Sequence, residues 1–316
     1  MRRFAMKTRW LNLVLLAVAL SIGCSGHNGG SVATTPATVD EVWTELPNAE
    51  GSLKFLVLGD WGTGGRAQYQ LAREMATFRE KFKFDTVLTV GDNFYGMQRA
   101  QDYKTKFETP YKPLLNAGVK FYATLGNHDS REQVNYKLFN MGGNFYYTVN
   151  FPDQSVRLYM LDTTYPSPEQ LDWLKKELEG SKDNWKIAVF HHPLYSSGKF
   201  HGSDLKLREA LEGLFVEHDV SVVFQGHDHF YERIKPQRGI VYFVVGSGGK
   251  VRSGNIDKNS GLTDKGFDTG YAFLAVEVAG DKMFFNAIKT DGGVVDSGII
   301  ERRMPVSEKS AAGAAR

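Results

Sequence analysis

Short apolar runs alternate along the chain with longer stretches whose apolar residues recur every three or four positions. The runs Leu53–Leu58, Thr86–Val90, Lys120–Leu125, Tyr146–Asn150, Val156–Leu161, Lys186–Phe190 and Val220–Phe224 have the length and the β-branched or aromatic content of strands. Between them, Arg66–Phe82, the region Tyr103–Asn116, the stretch after Ser167 and the stretch from Ser203 or Asp204 to Glu217 are spaced as helices. Ser167-Pro168-Glu169-Gln170 has the makings of a helix start: a capping hydroxyl, Pro at the first helical position and Gln three residues after the cap. Alternation of this kind predicts an α/β layered domain. From Ile240 the pattern turns β-rich, with runs at Ile240–Val245, Tyr271–Val278, Met283–Ile288 and Val294–Ile300 separated by Gly-containing turns. That closing region reads as a second sheet packed on the first.

The two ends of the chain are patterned differently. Arg2, Arg3, Lys7 and Arg9 precede Trp10–Ile22, an uncharged run shorter than the roughly 20 residues of a spanning helix, so residues 1–23 read as a secretory signal. Ser21-Ile22-Gly23-Cys24 is similar to a bacterial lipoprotein cleavage box, although Ser21 stands where such boxes carry Leu. The expectation is export from a bacterial cell, with a lipid on Cys24 anchoring the protein to a membrane of the cell envelope. Residues 24–52, with Gly, Thr, Pro, Ala and Glu, read as a tether that becomes ordered near Val42 and Trp43, the catalytic domain as 53–302, and 303–316 as a flexible tail. Cys24 is the only cysteine, so no disulfide holds the folded part. The 38 basic and 36 acidic residues nearly balance, and four of the basic ones lie in the leader. Nothing resembles a nucleic-acid footprint, and a monomer is expected.

Five strand ends carry chemistry: Asp60, Asp92, Asn127, His191 and His227 each follow an apolar run. In open α/β sheets ligands gather beyond the carboxyl ends of the strands. A glycine precedes Asp60, Asp92, Asn127 and His227, where several loops converging on one point would demand backbone freedom. Asp92 has two oxygens and can span two cations, and the phenol of Tyr95, three residues on, is a hard donor that favours ferric iron. His227 and His229 are two residues apart, which in extended backbone puts both rings on one side. Each motif alone reads as a turn or a structural pair; together, at successive strand ends, they read as a metal site.

The motifs GDWG (59–62), GDNFY (91–95), GNHD (126–129), the His191 strand end and GHDH (226–229) resemble those of the calcineurin-like metallophosphoesterases. Within that superfamily the chain resembles the purple acid phosphatases of the small tartrate-resistant type, because the tyrosine of GDNFY is present as Tyr95. The similarity runs from Phe55 to Arg233 and more weakly through Gly246–Gly249. It implies a β-sandwich of two mixed sheets flanked by helices, four layers in the order αββα. It also implies a dinuclear centre with Fe(III) on Asp60, Tyr95 and His229, a divalent Fe, Zn or Mn on Asn127, His191 and His227, and Asp92 between them. The implied activity is acid phosphatase, the hydrolysis of a small phosphomonoester by a metal-bound hydroxide, with His128 touching substrate. His201 is a second candidate, one residue further from His191 than in the mammalian enzymes, and Ser130 stands where those enzymes carry a further histidine. His192 is expected at the rim or behind the ligands, and Asp129 and Asp162 are candidates to orient the histidines. Two alternatives stay open: a phosphodiesterase or nucleotidase on the same clamp, and a noncatalytic surface lipoprotein that binds phosphate or a partner.

Overall fold

The computed structural model describes residues 39–40 and 45–304; the expected leader, Cys24, Val42, Trp43 and the tail beyond 304 lie outside the described residues. The strands are β1 Val39–Asp40, β2 Leu53–Leu58, β3 Thr86–Thr89, β4 Lys120–Ala123, β5 Tyr147–Phe151, β6 Val156–Met160, β7 Trp185–Val189, β8 Val220–Gln225, β9 Tyr231–Ile234, β10 Val241–Val245, β11 Thr263–Phe267, β12 Ala272–Ala279, β13 Lys282–Lys289 and β14 Val294–Glu301. The α-helices are α1 Arg66–Lys81, α2 Ala100–Tyr103, α3 Lys112–Asn116, α4 Pro168–Gly180 and α5 Leu205–Glu217.

The strands form two seven-stranded mixed sheets, ordered β1-β14-β13-β12-β2-β3-β4 and β11-β9-β10-β8-β7-β6-β5. Phe55, Val57, Leu274 and Val276 of the first sheet meet Ile187, Val222, Phe224 and Phe243 of the second in one core between them. The other face of β2, with Leu56 and Leu58, packs on Leu71 and Met75 of α1. On the far side Ala188 and Val223 pack on Leu174 of α4 and Leu211 of α5. This is the four-layer helix–sheet–sheet–helix arrangement. Strands β2, β3, β8 and β10 are buried almost throughout, which is why they read as continuous apolar runs without alternation. Both helix starts behave as their sequences require: the Ser167 hydroxyl accepts from the Gln170 N–H and the Asp204 carboxylate from the Leu207 N–H.

Three expectations are corrected, and two strands had gone unread. The closing region is not a sheet of its own: β10 runs parallel to β8 in the second sheet, while β12 lies antiparallel to β2 and extends the first. The reason is burial, since β12 has apolar residues on both faces and needs a central position. Strands β9 and β11 carry too many charges to be legible, yet β9 is buried because Arg233 pairs with Asp296 at 2.8 Å. The Tyr103–Asn116 helix is broken into α2, a π-helical turn at Lys104–Glu108 and α3, with Pro110 at the break. Arg303, read as the start of the tail, is buried, its N–H on the Ser221 hydroxyl and its guanidinium on the Phe215 and Val220 carbonyls.

Within the stretch read as a tether, Val39 and Asp40 pair with Ile300 and Ile299. Further on, the N–H groups of Asn48 and Ala49 and the Ser52 hydroxyl all donate to the buried Glu277 carboxylate. Among the described residues no helix is long and apolar enough to cross a membrane.

Candidate metal centre

Three of the five strand-end residues hold left-handed backbone: Asp60 at φ 55°, Asp92 at φ 48° and His227 at φ 73°. For side chains with a Cβ this conformation is uncommon and costs roughly 1–3 kcal/mol, and it is typical of functional sites. The glycines before them mostly supply space, not the freedom of φ expected of them. A Cβ on Gly126 would lie 2.3 Å from the Asp92 carboxylate, and one on Gly226 would lie 2.7 Å from that of Asp60.

All seven expected ligands converge. His191 is fully buried and its Nδ1 lies 2.8 Å from the Val90 carbonyl, so in the neutral ring that nitrogen carries the proton and Nε2 keeps its lone pair. Nε2 faces Asn127 Oδ1 at 3.1 Å, His227 Nδ1 at 3.2 Å and Asp92 Oδ1 at 3.4 Å. On the other side the Tyr95 hydroxyl lies 3.0 Å from Asp60 Oδ1 and 3.1 Å from His229 Nε2. Asp60 and Asp92 are buried, and among the described residues neither meets a lysine or arginine. Asp60, Asp92 and His229 form one group of donor atoms mutually within 4.8 Å, and His191, His192 and His227 another.

The donor set fits cations. Lone pairs face lone pairs around His191 Nε2, and two buried carboxylates crowd one phenol, which is unfavourable unless positive charge lies between them. The ionisation preferences agree. Burial opposes charge on His191, but the Asp92 carboxylate overrides it and raises the ring above its ordinary pKa. Burial, then the charges of Asp60 and Asp92, push the Tyr95 phenol far up. Burial and the surrounding imidazoles hold His227 far down.

The remaining candidates occupy the rim. His128 is exposed, its backbone N–H donates to Asp92 Oδ1 at 3.0 Å, and its ring lies 4.8 Å from that of Tyr95. His201 is exposed and lies against His227, the two rings tilted with centroids 3.9 Å apart. Together with His192, Phe200 and Asp204 it lines a cleft of about 260 Å³ over the His227 side. His192 is turned inward, its ring 4.6 Å from His227 and its Nδ1 3.2 Å from the Thr163 hydroxyl. Burial and the charge of His191 lower its pKa to about 4.

Asp129 and Asp162 do not orient histidine rings. Asp129 accepts the N–H groups of Gly126 at 2.8 Å, Phe94 at 2.9 Å and Asn93 at 3.0 Å, and so ties the GNHD loop to the GDNFY loop. Asp162 pairs with Arg131 at 3.2 Å and caps the turn at Thr164. Backbone N–H groups drew these carboxylates because both lie at tight turns with unpaired donors. The sequence reading passed over Asp228, between His227 and His229. It points the other way from them and accepts from the Ser196 hydroxyl at 2.6 Å and the Gly202 N–H at 3.1 Å, so it holds the loop that carries His201. The extended backbone expected for His227 and His229 is not found, since His227 is left-handed and the segment turns tightly, so simple alternation could not have assigned Asp228.

Residues 53–231 match the calcineurin-like phosphoesterases, and the chain belongs to that family of hydrolases acting on phosphoric ester bonds. It is 30% identical over 247 residues to tartrate-resistant acid phosphatase type 5 of Oryctolagus cuniculus, covering 64% of this chain and 76% of the relative. With purple acid phosphatase 7 of Arabidopsis thaliana it shares 28% identity over 291 residues, 81% of this chain and 88% of the relative. The solved structure of purple acid phosphatase PPD1 from yellow lupin (Lupinus luteus) seeds has the same fold, with a TM-score of 0.65 at 19% identity over 81% of this chain and 55% of that one.

Proposed function

We propose that the protein is an exported acid phosphatase that hydrolyses phosphomonoesters at a dinuclear metal centre. The observation that carries this is the convergence of Asp60, Asp92, Tyr95 and His229 with Asn127, His191 and His227 in two touching groups of donors, with no lysine or arginine paired to Asp60 or Asp92 among the described residues. Asp60, Tyr95 and His229 would hold a ferric ion, Asn127, His191 and His227 a divalent iron, zinc or manganese ion, and Asp92 would reach both. Bound there, two cations supply Lewis acidity and an activated water for in-line attack on phosphorus.

The chain's own residues do the rest. The Val90 carbonyl fixes the His191 ring in the tautomer that presents Nε2. His128 and His201 stand on opposite ring neighbours, Tyr95 and His227, where a bound phosphoryl group comes within reach. The ring N–H of either one can donate to a phosphoryl oxygen or to the leaving alkoxide. The exposed mouth leaves the leaving group in solvent. The similarity to tartrate-resistant and purple acid phosphatases supports the same reading.

The test is elemental analysis, a visible spectrum and 4-nitrophenyl phosphate hydrolysis on the chain beginning after Cys24. One to two irons per chain, a broad visible band lost in Tyr95→Phe, and turnover fastest below neutrality are expected. A colourless zinc or manganese protein would retain the phosphoesterase and remove the ferric site. For export, Cys24→Ser should move the full-length protein from the membrane fraction to the soluble one.

A further inference from the structure

The loop after β10 is fixed to the candidate metal centre by its backbone. The Gly249 N–H donates to the Asp60 carbonyl at 2.9 Å and the Arg252 N–H to the His229 carbonyl at 3.0 Å, so residues 250–252 lie between two ligand-bearing strand ends. Two cations stand on this loop. The Lys250 ammonium sits 3.7 Å above the centre of the Tyr95 ring, and the Arg252 guanidinium 3.4 Å above that of Phe200. Phe200 is 63% exposed and its ring is 4.6 Å from that of His201. Its N–H donates to the Asn255 side chain, which is in turn held by Asp228. Lys250, Tyr95, Arg252, Phe200, His201 and His227 thus form a continuous wall along one side of the mouth.

What distinguishes Lys250 and Arg252 is what they lack. Two other cations near the site are neutralised: Arg131 by Asp162 at 3.2 Å and Lys106 by Asp102 at 3.2 Å. Among the described residues, neither Lys250 nor Arg252 makes an ion pair or a side-chain hydrogen bond; each lies over an aromatic face. A ring face steadies a cation while leaving its N–H donors unspent. The phosphoryl group belongs over the seven donors, so these two cations face the outward part of a substrate. A plain aryl or alkyl leaving group would give them nothing to bind.

We propose that Lys250 and Arg252 form a second anion subsite beside the candidate metal centre, so that the preferred phosphate ester carries a further oxyanion on its leaving side. A nucleoside 3′,5′-bisphosphate, with its second phosphate, and a phosphorylated hydroxy acid, with its carboxylate, share that chemistry. The inference rests on the phosphatase reading above and names the substrate class of that site.

The test compares the metal-loaded wild type, Lys250→Met, Arg252→Met and the double variant on 4-nitrophenyl phosphate, a nucleoside 3′,5′-bisphosphate and 3-phosphoglycerate. The wild type should favour one doubly anionic substrate over the aryl ester by about tenfold or more in kcat/KM, and which one it favours identifies the oxyanion. Each single variant should lower that ratio about tenfold, mainly through KM, and the double variant should abolish it. Equilibrium dialysis of methylenediphosphonate, which is not hydrolysed, should show Kd raised by about the same factor at unchanged metal content. Equal effects on all three substrates, or none on any, with an unchanged Kd, would overturn the subsite. Failure of the loaded wild type to turn over any substrate would count against the phosphatase reading, and the dialysis would still decide the subsite.

Discussion

The two groups of donors touch, yet they are built on opposite principles. Around Asp60, Tyr95 and His229 the donors are rich in anionic oxygen and bound to one another, with Asp60 also fixed by the His227 N–H at 2.9 Å. Around Asn127, His191 and His227 they are neutral nitrogen and amide oxygen, with Asn127 exposed and the cleft beside His201 open above. A hard, highly charged ion suits the first and a borderline divalent ion the second. The lesson is that one strand-end architecture makes two unlike pockets by varying only whether a carboxylate and phenol, or an amide and imidazole, complete the set.

The largest effect should come from erasing the distinction at its shared member. Asp92→Asn removes the carboxylate that lies beside both groups, and hydrolysis of 4-nitrophenyl phosphate should fall by about a thousandfold or more, with both metals reduced by elemental analysis. Wild-type rate and metal content in this variant would contradict the assignment. Next, the halves should fail separately. His191→Ala should lose about one metal per chain and on the order of a hundredfold in rate while keeping the visible band, and Tyr95→Phe should lose the band while retaining divalent metal. A weak chelator should likewise strip the open pocket first, giving coloured but inactive protein; simultaneous loss of colour and activity would show that the pockets do not differ in exchange. The smallest effect lies in the wall. Asp228→Asn should cost about tenfold in kcat/KM by freeing the His201 loop, and combining it with His201→Ala should add little further loss while the visible band stays as in wild type. Additive losses would mean that Asp228 acts by another route.

The strand ends were legible because their chemistry is local. An apolar run such as Leu53–Leu58 announces a buried strand, and a carboxylate, amide or imidazole immediately after it is conspicuous. The layered αββα class followed from the motifs that sit on those ends. Their supports were not legible, because they join residues distant in sequence. Nothing near Asp228 points to Ser196 or Gly202, and nothing near Glu277 points to Asn48 and Ala49. Strand β9 was hidden for a related reason: Glu232 and Arg233 read as solvent-facing until Ser197, Thr263 and Asp296 arrive from elsewhere to satisfy them. Carboxylates that accept backbone N–H groups, such as Asp129, are indistinguishable in sequence from carboxylates that steady an imidazole.

The bond from the Gly249 N–H to the Asp60 carbonyl and the contact of the His191 ring with the Val90 carbonyl hold their donors by protein alone. Bonds of this kind predict that the coordinating positions depend little on a bound ion, as in a preformed trap and not a segment that wraps around its metal. Ion uptake would then be a bimolecular capture by finished protein, with a rate proportional to free metal concentration. Far-ultraviolet circular dichroism should stay level while the visible colour develops.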